Sequence, residues 1–146
     1  MSAVSEIVTL LLDETEDLLP TYSQIPHLYS VEDNTSQMDK VFGVRVGSAS
    51  VTSGVNRSIT FNHSFIIDLI RKHVPKKDLG DKDLRDKIIL LHDDIQTLYK
   101  SLSLRSLNFT GGKVLLISPL DISEPTNENG IVTVSLTLSI QYRVAI

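Results

Sequence analysis

The sequence predicts an α+β domain: a mainly antiparallel sheet of about four or more strands with helices packed on one face, in the order α-β-β-α-β-β. Three observations carry that expectation. From Val132 to Val144 apolar residues alternate with Thr133, Ser135, Thr137, Ser139, Gln141 and Arg143, so a strand there has one oily and one wet face. A second alternation places Ile59, Phe61, His63, Phe65, Ile67 and Leu69 against Thr60, Asn62, Ser64, Ile66 and Asp68. Between them, Leu84, Ile88, Leu91, Ile95, Leu98 and Leu102 recur in steps of four and three, the straight apolar stripe of a helix built to cover a sheet.

The 146 residues fit a single domain spanning 1–146, large enough to bury a core. Apolar residues make up 41% and charged residues 22%, an ordinary globular balance rather than that of a disordered chain. A net charge of −4 provides no general attraction to nucleic acid. The absence of cysteine removes disulfides, thiolate metal sites and thiol nucleophiles together. The first apolar run is interrupted by Glu6, Asp13 and Glu14 and has no basic leader, unlike a signal peptide. No apolar run reaches the roughly 20 residues of a membrane helix. These features lead us to expect a soluble, cytoplasmic protein.

Taken in order, Val4, Ile7, Val8, Leu11, Leu12, Leu18 and Leu19 outline a first helix, capped by Ser2 or Ser5 and ended by Pro20. Asp13, Glu14, Glu16 and Asp17 crowd its C-terminal half, the unfavourable end for negative charge. Residues 20–40 are polar and turn-rich, with a short extended piece expected around His27 to Val31. Val41 to Val46 reads as a strand broken by Gly47. Ser48 to Asn56 is small and polar, and predicts a mobile hairpin tip protruding from the body. The strand from Ser58 returns antiparallel to the first. Arg71 to Asp81 is a basic connector, Asp81 a candidate N-cap, and Asp83 to Leu102 the second helix. Lys113 to Ser118 forms the next strand, and Pro119 to Gly130 a long turn leading into the last one.

Chemistry is harder to find. His27, His63, His73 and His92 show no i, i+4 pair and no HExxH spacing. His92 beside Asp93 and Asp94 reads as a mixed-charge helix surface, and His63 as a half-buried histidine with its partners satisfied. There is no GxSxG elbow. Gly111-Gly112-Lys113 opens a strand, not the helix a phosphate loop requires. Asp121 and Glu124 read as turn formers. No enzyme, cofactor or metal site is expected. The wet face of the last strand carries no aromatic for stacking on bases, and its Ser/Thr-rich surface suits contact with another protein subunit.

The first helix, the long hairpin around SASVTSGVN, the helix DKDLRDKIILLHDDIQTLYKSL and the closing pair KVLLIS and IVTVSLTLSIQYRVAI together resemble the tail-terminator (tail-completion) proteins of long-tailed bacteriophages. The resemblance lies in architecture, length and element order over nearly the whole chain, with no signature motif. It implies a non-enzymatic virion protein of the phage neck, a homohexameric ring on the last ring of the tail tube. Such a ring stops tube polymerisation and presents a docking surface to the head-tail connector. The implied partners are further copies of the chain, the tail tube protein and the connector. DNA passes through without sequence-specific binding, no membrane is involved, and assembly takes place in the host cytoplasm. Exposure makes Ser48, Ser50, Val51, Thr52, Ser53, Gly54, Val55 and Asn56 the expected inter-ring contact. Charge makes Arg71, Lys72, Lys76 and Lys77, with Asp13, Glu14, Glu16 and Asp17, the expected subunit interface. Two alternatives stay open: another neck component (a connector or stopper protein), or a small ligand-binding or regulatory domain.

Overall fold

The computed structural model describes residues 2–25, 39–55, 57–73, 82–102, 108–109, 112–128 and 130–145. Helix α1 spans Ala3–Leu18; the Ser2 hydroxyl accepts from the Ser5 amide at 3.2 Å, and Leu19 closes the far end through its amide to the Thr15 carbonyl. Strands follow at Ser23–Gln24 (β1), Val41–Val55 (β2) and Ser58–Lys72 (β3), then helix α2 at Lys82–Leu102. The remaining strands are Asn108–Phe109 (β4), Gly112–Ile122 (β5), Thr126–Glu128 (β6) and Ile131–Ala145 (β7).

The domain is α+β, and its seven-stranded sheet runs β1-β2-β3-β7-β5-β4, with β6 beside the start of β7. The long elements alone run α-β-β-α-β-β. That order is not the whole architecture, because three strands of two or three residues are interposed, and β1 pairs parallel to β2, which makes the sheet mixed. Each short strand extends a ladder that a long one has begun. Strands this short have no room for a visible alternation, so the sequence pattern does not announce them.

β7 is the axis of the sheet. β3 pairs with it along its whole length, and β5 covers its other side from Leu136 to Val144. β6 takes up that side again from Ile131 to Thr133. Ser123 bridges the gap: its amide donates to the Ser135 carbonyl and its hydroxyl accepts from the Ser135 amide, both at 2.9 Å. The stretch expected as a turn from Pro119 to Gly130 therefore holds the end of β5 and all of β6.

Register sorts the side chains. Val132, Val134, Leu136, Leu138, Ile140 and Tyr142 are buried on one face, opposite Phe61, Phe65, Ile67 and Leu69 of β3. Both helices cover that face: Ile7 and Leu11 of α1 and Leu91, Ile95, Leu98 and Leu102 of α2 join the same cluster. The stripe on α2 is fully buried only over its last four members, with Leu84 and Ile88 half-buried at its start. On the opposite, outer face a small apolar cluster of Val41, Ile70 and Ile131, with Ile25 against it, is buried.

Candidate assembly surfaces

The hairpin β2–β3 changes character along its length. Its rows around Phe42 lie under the helices, with Phe42, Phe65, Ile67 and Leu69 completely buried, while Val46 is already 47% exposed. Beyond Gly47 the same ladder continues to Val55↔Ser58, but Ser48, Ala49, Ser50, Val51 and Thr52 are exposed, Val51 at 63%. The expected mobile loop from Ser48 to Asn56 is thus corrected: residues up to Val55 are strand, and Asn56 lies outside the described residues. Composition misleads here because two register irregularities, between Val46 and Ala49 and between Val51 and Ser53, let a Ser/Gly-rich segment stay paired. Gly47 permits the tight approach at the first, since a Cβ there would stand 2.9 Å from the Cβ of Ser64. The Thr52 hydroxyl adds a bond to the Thr60 carbonyl at 3.2 Å.

At the base of this arm His63 is buried against Phe65 and Tyr142. Its Nε2 donates to the Gly47 carbonyl at 3.2 Å, and its Nδ1 meets the Tyr142 hydroxyl at 3.1 Å. A carbonyl only accepts, which fixes a proton on Nε2. Burial pushes the Tyr142 phenol up. Both imidazole nitrogens are engaged with the protein, an arrangement that locks the arm to the sheet.

The expected subunit interface divides. Asp13, Glu16 and Asp17 are exposed on α1 and Glu14 is half-buried. Arg71 belongs elsewhere. Register puts it on the helix-covered face opposite Val132, and only 8% of it is accessible. Its Nε donates to the Tyr22 hydroxyl at 3.0 Å, which itself donates to Asp94 Oδ2 at 2.6 Å, and Arg71 Nη2 stands 3.4 Å from that same oxygen. The guanidinium lies 5.0 Å from the Tyr22 ring centre. Burial, with the Asp94 hydrogen bond, drives the Tyr22 phenol well above its usual range although Arg71 pulls the other way. This trio ties the segment between α1 and β1 to β3 and α2. Arg71 is accordingly a structural cation and not an exposed interface residue. The adjacent Lys72 is half-buried at the end of β3, where its amide donates to Asp39 Oδ1 at 2.9 Å. Lys76 and Lys77, like Asp81, lie outside the described residues.

Two further clamps escaped the sequence pattern. Asp68 sits on the wet face of β3 yet is fully buried, because Arg45 grips it with Nε at 2.6 Å and Nη2 at 3.0 Å while the Ser135 hydroxyl donates to Oδ1. The bidentate fork crosses diagonally from β2 to β3, a pairing only the register reveals. His73 Nδ1 lies 2.8 Å from Asp83 Oδ2, and the His73 amide donates to the Gly130 carbonyl at 2.6 Å. Gly130 has φ +80°, where a Cβ would also meet the His73 carbonyl at 2.8 Å.

Two sheet edges are open among the described residues: β2 beyond Phe42 and β5 beyond Lys113. The β5 edge carries Leu115, Leu116 (57% exposed) and Leu120 (59%). Beside it is an open groove of about 380 Å³ lined by Tyr99, Pro119, Leu120, Asp121 and Ile122. Pro119 and two register shifts interrupt this edge, devices that discourage indiscriminate strand pairing. Among the described residues no three His, Asp or Glu side chains are grouped to hold a metal ion, and no helix is long and apolar enough to cross a membrane. No protein-family model matches the chain, and no curated protein is significantly similar to it.

Proposed function

We propose that the protein is a structural component of a phage neck that assembles as a ring on the end of the tail tube, stops its polymerisation and offers a docking surface to the head connector. The observation that carries this reading is the arm of β2 beyond Gly47: an exposed edge strand backed by β3, which is itself paired with β7 down to Ser58↔Ala145, in a chain whose long elements run α-β-β-α-β-β. A rigid arm transmits position from one ring to the next better than a flexible loop does, because little ordering entropy is lost on contact. Ser48 to Val55 of the arm meets the adjoining ring, and the acidic face of α1 meets a neighbouring subunit. The protein works without a catalytic group or cofactor. Its net charge of −4 keeps DNA from adhering as it passes through the ring. It resides in the virion and assembles in the host cytoplasm.

Polymerising tail tube protein in the presence of the purified chain tests this. Capped ends and a halt in tube growth, seen by negative-stain microscopy, are expected. Tubes that grow to the same length distribution with and without the chain would contradict the reading.

A further inference from the structure

The outer face of the sheet changes charge along the strands. Register sets Thr60, Arg143 and Lys113 in one row across β3, β7 and β5. Arg57, at the hairpin tip, immediately precedes Ser58, whose partner is Ala145. All three cations are exposed, and among the described residues none makes an ion pair. Like charges directly opposite one another on adjacent strands repel. The next rows on this face, Asn62–Gln141–Leu116 and Ser64–Ser139–Ser118, are uncharged. Asp121, opposite Thr137, is six residues along β7 from Arg143 (137 to 143), about 20 Å away.

The C-terminal half of α1 has the opposite imbalance. Asp13, Glu16 and Asp17 are exposed and the last turn holds no basic residue, so the carboxylates add to the negative end of the helix dipole. Glu16 accepts a hydrogen bond from the neutral Gln24 amide at 3.0 Å. That bond locates the acidic corner: Gln24 pairs with Phe42, Phe42 with Leu69, and Leu69 with Val134. Arg143 is nine residues further along β7 (134 to 143), about 30 Å, and on the other side of the sheet. The two imbalances are too far apart to neutralise each other within one chain.

We propose that the basic corner formed by Arg143, Lys113 and Arg57 receives the acidic corner formed by Asp13, Glu16 and Asp17 of a second copy. Charge complementarity selects this occupant, and the contact relieves repulsion on both partners. Because the corners differ, the contact is heterologous: it repeats from copy to copy and generates either a closed ring or an open chain. A nucleic acid fits less well, since the basic corner has no stacking aromatic on its face and the whole chain is acidic. The inference rests on the reading that copies of this chain meet, and replaces the buried Arg71 as the cation that receives the acidic helix.

Sedimentation velocity over a range of concentrations and salt tests it. Arg143→Glu with Lys113→Glu, or Asp13→Lys with Glu16→Lys and Asp17→Lys, should each weaken self-association by about tenfold or more. An equimolar mixture of the two reversed variants should restore it, and raising salt should weaken the parent's association. Circular dichroism establishes that each variant is folded. A parent that stays monomeric at millimolar concentration and low salt, variants that associate as well as the parent, or a mixture that fails to recover overturns the proposal. So does a short DNA duplex bound through Arg143 and Lys113 by a chain that does not self-associate. Capped tubes with unaltered association in the variants would sink this contact and leave the tail reading standing. Restored pairing without capped tubes would do the reverse.

Discussion

The two halves of the β2–β3 hairpin share one ladder and differ in almost everything else. Near Phe42 and Leu69 the strands lie under two helices, and Phe42, Phe65, Ile67 and Leu69 are fully buried. Past Gly47 the pairing continues, but the β2 side chains become small and Val51 stands in solvent, while Phe61 and His63 of β3 still pack against Tyr142. Backbone pairing alone therefore does not define the core; the helical cover does. The covered half holds the fold together, and the exposed β2 edge beyond Gly47 is free to serve contact with other molecules.

Substitution should separate the halves sharply. Leu136→Ala, beneath the helices, is expected to cost about 3–5 kcal/mol in chemical denaturation, because a fully buried side chain leaves a cavity. A loss under about 1 kcal/mol there would break the comparison. Asp68→Ala should cost about 2 kcal/mol, since it strips a buried carboxylate from Arg45 and Ser135. The figure is modest because the Arg45 side chain is 52% exposed and regains water. Gly130→Ala should cost about 1–2 kcal/mol, through its left-handed backbone and the contact with the His73 carbonyl.

Tyr22→Phe is expected to cost about 1 kcal/mol at neutral pH and to alter the alkaline limb of stability. Burial, then the Asp94 hydrogen bond, raises the folded phenol above its usual value of about 10. Below that value both states hold the proton; above it the unfolded chain releases the proton and the folded chain keeps it. Stability should therefore fall as pH rises past about 10, and fall less steeply in Tyr22→Phe. Denaturation midpoints at several alkaline pH values check the slope. The smallest effect belongs to the arm: Val51→Ser should change stability by less than about 0.5 kcal/mol. A larger change in the isolated chain would mean that the arm contributes to the fold.

Strict alternation made β7 and β3 legible in the sequence, and the 4-3-4-3-4 stripe did the same for α2, because each periodicity has one geometric solution. Ser2 and Pro20 bounded α1 for similarly local reasons. Ser48 to Val55 was illegible as strand, since its small residues carry a turn's composition while register irregularities maintain the pairing. Arg71 looked like one cation in a solvated basic run. Its burial depends on Tyr22 and Asp94, which lie 49 and 23 residues away and come together only when β3, the segment between α1 and β1, and α2 pack. The basic corner stayed hidden for the same reason, because Lys113 and Arg143 become neighbours through the β5–β7 register.

Hydrogen–deuterium exchange, followed by mass spectrometry at dilute and associating concentrations, tests the division between a covered fold and an uncovered assembly surface most directly. Peptides from Leu136 to Ile140 and from Phe65 to Ile70 should exchange slowly and equally at both concentrations. Peptides from Ser48 to Val55 and from Asp13 to Asp17 should exchange quickly when dilute and become protected on association. Equal protection of the arm and the covered strands in the dilute chain, or no gain in protection by the arm and α1 on association, would contradict the account.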